Sequence, residues 1–120
     1  VKKVGATPLF WGDVIGAHPQ LLGEIPAEAI ALDWDYSATL VHTKAEMMAR
    51  AGRTFYVCPG ISGWNQWLPD YPTAYRNISR FAKVGMKFQA AGFLNTDWGD
   101  FGHIHTLGPS LPGLALGAFA

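Results

Sequence analysis

Gly92-Phe-Leu-Asn-Thr-Asp-Trp-Gly-Asp-Phe-Gly-His103 runs an apolar strand straight into two carboxylates, a tryptophan and two further glycines. The same grammar, strand then Trp beside Asp, recurs at Phe10-Trp11-Gly12-Asp13 and at Asp33-Trp34-Asp35-Tyr36. In a barrel of parallel strands the functional residues sit where the strands end, on the C-terminal face. Three such endings within 120 residues predict one pocket lined by tryptophans and acids. They also predict that the chain is only part of the protein that owns that pocket.

Working outward, the segments between these endings alternate strand and helix in four units of about 30 residues, the length of a βα unit. The expected strands are 7–11, 29–34, 54–58 and 91–96. The second is an apolar run of the kind a parallel sheet buries on both faces. The expected helices are a short one at 19–24, one at 43–51, a long one at 73–88 and a last one starting near Leu111. Thr43 with Glu46 reads as a capping box and Gly52 as the matching stop. In the long helix Ile78, Phe81, Ala82 and Gly85 share one face. A loop bearing Trp64 and Trp67 precedes it.

This alternation means α/β with parallel strands. An open doubly wound sheet and a (β/α)₈ barrel both satisfy it. No Gly-x-Gly-x-x-Gly follows the first strand and no phosphate-binding loop occurs, so the barrel is favoured. A whole barrel takes about 250 residues. The expectation is therefore half of a (β/α)₈ TIM barrel, spanning residues 1–120 as one partial domain truncated at both ends. Such a half exposes two sheet edges and half of its interior, so a missing barrel half or self-association is expected as partner.

Composition narrows the function. Hydrophobic residues make up 49% and charged residues 15%, which places the chain among core-forming globular domains. Nine basic residues balance nine acidic ones. With no basic stripe, neither nucleic acid nor an anionic membrane is an expected partner. The charge-free tail from Ile104 is cut by Pro109 and Pro112 and falls short of the roughly 20 apolar residues of a span. The opening Val1-Lys2-Lys3 does not read as a signal peptide, because Pro8 cuts the apolar stretch after it. The compartment stays open. The single Cys58 excludes an internal disulfide framework and reads as a small core residue.

Trp11, Trp34 and Trp98 stand at equivalent strand ends. One tryptophan alone reads as core; three with carboxylates beside them read as a pocket. An indole face packs against the C–H face of a sugar ring, and its N–H donates to a hydroxyl. Trp64 is expected to close the wall, and Trp67 to pack beneath the loop. Asp13, Asp35, Asp97 and Asp100 are expected at the mouth as acceptors for sugar hydroxyls, with helix capping as the plainer role for Asp13 and Asp100. Asp33 points opposite to Trp34 and needs a partner that the sequence does not name. His103 and His105, two apart beside Asp97, resemble a metal site in spacing, but His103 is read as a polar pocket contact, and no metal or other cofactor is expected. His18 and His42, beside helix starts, read as surface residues. Asn77-Ile-Ser79 matches a glycosylation acceptor inside a helix and is discounted.

Together these stretches resemble the second half of the barrel of glycoside hydrolase family 20, the β-N-acetylhexosaminidases. The resemblance rests on Pro8-Leu-Phe-Trp-Gly-Asp13, Ile30-Ala-Leu-Asp-Trp-Asp-Tyr36, Phe55-Tyr-Val-Cys-Pro-Gly60 with Ser62-Gly-Trp-Asn65, and Gly92 to His103. It covers nearly the whole chain and corresponds to strands five to eight. It implies an enzyme that removes terminal N-acetylhexosamine by substrate-assisted retaining hydrolysis. The substrate's acetamido oxygen attacks the anomeric carbon, a Glu protonates the leaving oxygen, and the adjacent Asp orients the acetamido group. That Asp-Glu pair belongs to strand four and is absent here, so no catalytic residue is expected in this chain. What the resemblance does carry over is the substrate pocket: Trp11, Trp34 and Trp98 as an aromatic box, Asp100 for distal hydroxyls, and Tyr36 as a candidate for the acetamido oxygen. Two other readings stay open: a non-catalytic carbohydrate-binding half barrel, and a different TIM-barrel hydrolase whose acids are Asp97 and Asp100.

Overall fold

In the computed structural model, which describes residues 2–39 and 43–120, the strands are β1 (Leu9–Trp11), β2 (Ile30–Trp34), β3 (Phe55–Cys58) and β4 (Gly92–Phe93). The α-helices are α1 (Asp13–Ala17), α2 (Thr43–Arg50), α3 (Tyr71–Lys87) and α4 (Leu111–Ala118). All strand pairs are parallel and the sheet order is β1-β2-β3-β4. The chain is therefore α/β with a four-stranded parallel sheet. Its strand order never reverses, whereas a doubly wound sheet reverses at its switch point.

The two faces of the sheet differ. Side chains alternate along a strand, and Phe10, Ala31, Phe55 and Val57 turn to the helices. There they meet Ile15, Ala45, Met48, Phe81 and Val84 in one core. Between them the opposite face carries Leu9, Trp11, Leu32, Trp34 and Tyr56. Among the described residues no helix contributes to a core on that side, and Leu9 at its rim is 49% exposed. A second small core, Ile61, Ala74 and Ile78, sits under α4 and takes in Leu116. The Asn95 side chain donates to the Gly113 carbonyl at 2.9 Å and pins α4 to the end of β4.

Local chemistry explains where the elements depart from the sequence reading. The stretch Pro19–Glu24 is a 3₁₀ segment rather than an α-helix, and a separate short helix α1 precedes it. Pro19 has no N–H to donate, and it disfavours helical geometry at His18. Helix α3 begins two residues earlier than expected. Asp70 is its N-cap and accepts from the Thr73 N–H at 3.1 Å, with Pro72 in the first turn. Hydrogen bonds from the Thr73 side chain and, second, its N–H hold the Asp70 carboxyl below its ordinary range. Its buried positions, Ala74, Asn77, Ile78, Phe81, Val84 and Gly85, form one stripe. Strand β4 is only two residues long, although a further parallel bridge joins Gly60 to Thr96. The cap expected from Thr43 falls on a side chain outside the described set, and His42 lies outside the described residues. Among the described residues no helix is long and apolar enough to cross a membrane.

Candidate functional site

The four strands point their C-terminal ends the same way, and ligands of open parallel sheets bind outside those ends. Here Trp11, Asp13, Trp34, Tyr36, Trp98 and Asp100 line a cleft of about 300 Å³. Trp11 ends β1, Trp34 ends β2 with Tyr36 two residues beyond, and Trp98 and Asp100 follow β4. Trp11 and Trp98 face each other across the sheet, ring centres 5.1 Å apart and planes tilted by 56°. Trp34 stacks on Tyr36 at 5.1 Å. The Trp98 indole N–H donates to the Tyr36 hydroxyl at 2.5 Å, so the ends of β2 and β4 are tied across β3. Burial pushes the Tyr36 phenol above its ordinary value, against its hydrogen bonds with Thr96 and Trp98. The phenol therefore stays neutral over the physiological range.

The remaining sequence candidates are placed otherwise. Trp64 packs behind Tyr36, with ring centres 4.6 Å apart, and supports the wall without lining it. Tyr36 in turn lies flat on Gly60, where a Cβ would come within 2.8 Å of the ring. Asp97 does not line the cleft: its Oδ2 accepts from the Ser110 hydroxyl at 2.5 Å. His103 also stands off the cleft, its Nδ1 bonded to the Trp98 carbonyl at 3.2 Å. The Asp35 carboxylate accepts the Ser37 N–H at 2.7 Å, which closes the turn after β2. Neither Asp13 nor Asp100 caps a helix: Gly12 and Gly99 hold those positions, with no side-chain capping bond. Trp67, expected beneath its loop, is instead 78% exposed. Ile61, Ser62, Gly63 and Pro69 fill that loop's interior and leave the indole outside.

Three residues that organise the site go unrecognised in the sequence. Asn77, on the inner stripe of α3, accepts from the Gly60 N–H at 3.0 Å. It donates to the carbonyls of Asp35 at 2.9 Å and Ser37 at 3.0 Å. One side chain thus joins the turns after β2 and β3. A lone amide at a helical core position between Ala74 and Ile78 is the available signal. Lys44 is the partner that Asp33 needs, at 3.4 Å. The same ammonium donates to the Trp34 carbonyl at 2.5 Å and lies 5.1 Å from the centre of the Trp34 ring. Burial nevertheless outweighs Lys44 and raises the Asp33 carboxyl above its ordinary value. Thr96 completes the set, donating its hydroxyl proton to the Pro59 carbonyl at 2.8 Å. Cys58 is fully buried, and desolvation, with Asp33 adding to it, pushes its thiol up to about 12.

The class defined by this fold and site is an α/β chain that presents an aromatic and acidic cleft at the C-terminal ends of parallel strands. Compared with protein-family models, with curated proteins and with solved structures, the chain finds no match.

Proposed function

We propose that this chain is the C-terminal half of a (β/α)₈ barrel and supplies the substrate pocket of a glycoside hydrolase acting on terminal N-acetylhexosamine. The observation that carries the reading is the convergence of three indoles, one phenol and two carboxylates from the ends of β1, β2 and β4 on one cleft. Aromatic faces take the apolar side of a pyranose, and carboxylates take its hydroxyls. The unreversed strand order and the apolar, partly exposed face opposite the helices support the half-barrel reading, because that face is the interior of a closed barrel.

In this reading Trp11, Trp34 and Trp98 hold the sugar, Asp13 and Asp100 take hydroxyl hydrogen bonds, and Tyr36 donates to the acetamido oxygen. The general acid and its neighbouring orienting carboxylate come from outside this chain, which has no Asp-Glu pair. The alternative that uses Asp97 and Asp100 as an acid pair is weaker, since Asp97 is engaged by Ser110 away from the cleft. A non-catalytic binding module uses the same pocket and differs only in what completes it.

The test is a tryptophan-fluorescence titration with N-acetylglucosamine, with glucose as control. A saturable change near about 1 mM, equivalent to roughly 4 kcal/mol, and its loss in Trp98→Ala and Asp100→Ala, are expected for the acetamido sugar alone. No turnover of an aryl N-acetylglucosaminide is expected from the chain by itself. Equal response to both sugars, or none to either, would overturn the assignment; turnover abolished by Asp100→Ala would overturn the division of labour.

A further inference from the structure

We propose that Asp97, His103 and His105 form a binding site for one divalent transition-metal ion, Zn²⁺ by its ligand chemistry, which fastens the loop bearing Trp98 and Asp100 to the sheet. The site is separate from the cleft and stands whether or not the cleft binds a sugar.

One ligand atom from each of the three residues falls within 4.8 Å of the other two. In each residue one polar atom is already engaged, and its partner decides which atom is left for a metal. His103 Nδ1 faces the Trp98 carbonyl at 3.2 Å, and His105 Nδ1 faces the Thr106 carbonyl at 2.7 Å. A carbonyl only accepts, so both Nδ1 atoms carry the proton. In the neutral imidazoles each Nε2 then presents its lone pair. Asp97 gives Oδ2 to the Ser110 hydroxyl, itself fully buried, and keeps Oδ1. Metal-binding imidazoles are held in this way, the distal nitrogen donating to a carbonyl or carboxylate that fixes tautomer and ring plane.

The atoms left over have no other use within the fold. His105 is 7% exposed, and its Nε2, like Asp97 Oδ1, is buried without a hydrogen-bond partner. Buried polar atoms are normally satisfied, and two orphans side by side call for a shared cause. Both face the backbone of Gly63. A Cβ there would lie 2.7 Å from His105 Nε2 and 3.0 Å from Asp97 Oδ1, so glycine is what keeps the space between them open. The His103 and His105 rings lie 4.3 Å apart, tilted by 45°. His103 reaches that position through left-handed backbone at Phe101, Gly102 and His103.

Two imidazole nitrogens and one carboxylate oxygen select the ion. Calcium and magnesium require mostly oxygen ligands, in shells of six or more. Borderline Zn²⁺ takes this mixed set and leaves a position for water. Bound there, the ion would tie Asp97 at the sheet end to His103 and His105 beyond the reversal. Trp98 and Asp100 lie inside the closed loop, so their positions in the cleft would depend on the metal.

The experiment is equilibrium dialysis of the metal-stripped chain against Zn²⁺, with Co²⁺ as a visible-absorbing substitute. One ion per chain is expected, with d–d bands of nitrogen–oxygen coordination. Affinity is expected to fall at least about 10-fold in His103→Gln and Asp97→Asn, in keeping with the loss of a ligand or its support. Gly63→Ala, which fills the gap while keeping all three ligands, is expected to weaken binding too. His103 is only half-buried, so His103→Gln keeps its fold, checked by far-UV circular dichroism, and remains informative if Asp97→Asn does not. Uptake that is unchanged in His103→Gln would overturn the proposal. So would the absence of stoichiometric uptake, with NMR showing His105 Nε2–H bonded to Asp97, which makes the pair a plain hydrogen bond.

Discussion

Replacing Asn77 by alanine tests the architecture most directly. The side chain is fully buried and makes three hydrogen bonds, all to main-chain groups in the turns after β2 and β3. A typical hydrogen bond contributes about 1 kcal/mol net, and a buried group left without a partner costs about 1–3 kcal/mol. Gly60 is buried, so its N–H bears the larger figure, while the Asp35 and Ser37 carbonyls lie nearer to water. The sum is about 4 kcal/mol, a large share of the roughly 5–15 kcal/mol that holds a domain together. Urea unfolding followed by circular dichroism reads this as a lowered midpoint at unchanged slope. Asn77→Asp sharpens the test. It keeps the acceptor for Gly60, loses both donations and buries a carboxyl whose ionisation is unfavourable. It is expected to be at least as damaging at neutral pH and to recover partly on acidification, when a proton can be donated again. A loss below about 1 kcal/mol in Asn77→Ala would refute the reasoning, because ordinary surface-like replacements cost no more.

Other outcomes rest on single contacts. Cys58 is expected to resist a thiol reagent in the native chain and to react fully in denaturant; rapid native labelling would contradict its burial and its raised pKa. Asp33 has a folded-state pKa above its unfolded value, so the folded form binds that proton more tightly. Its stability contribution is complete below about 3.8 and is lost as pH rises through the folded value. Asp33→Asn is expected to remove that falling limb from a stability–pH profile, and an unchanged profile would show that Lys44 neutralises the cost. Tyr36→Phe removes the acceptor for the Trp98 indole and is expected to cost about 1 kcal/mol. A thermal melt that does not move would place that N–H on water.

Much of the fold is legible because parallel strands buried on both faces leave a plain mark. Ala29 to Trp34 reads as a strand from its apolar run, one residue longer than β2, and Gly52 marks the stop after α2. The strand ends are legible too: a tryptophan at the close of an apolar run marks Trp11, Trp34 and Trp98, which meet at the cleft. The acids that join them there, Asp13 and Asp100, stand two residues further on, while the adjacent Asp35 and Asp97 do not line it. The misses have physical reasons. Direction is not written in composition, so Asp97, adjacent to Trp98, reads as a mouth residue although its carboxylate turns to Ser110, a partner supplied from beyond the loop. Trp67 reads as core, but smaller loop residues already fill that space. Asn77 draws notice only through an acceptor pattern that its helix discounts, and its place on the apolar stripe of α3 goes unread. The pairing of Asp33 with Lys44 spans two elements and becomes visible only when β2 and α2 pack.

Trp11 ends one edge strand and Trp98 follows the other, near opposite ends of the chain, yet their indole centres are 5.1 Å apart at 56°. Chromophores that close and that inclined share their electronic excitation, and the shared states absorb left and right circularly polarised light unequally. The folded chain should therefore carry a paired positive and negative band in its aromatic dichroism that neither tryptophan has alone. That couplet is an optical ruler across the sheet. It vanishes when either edge strand peels away, well before helix content changes.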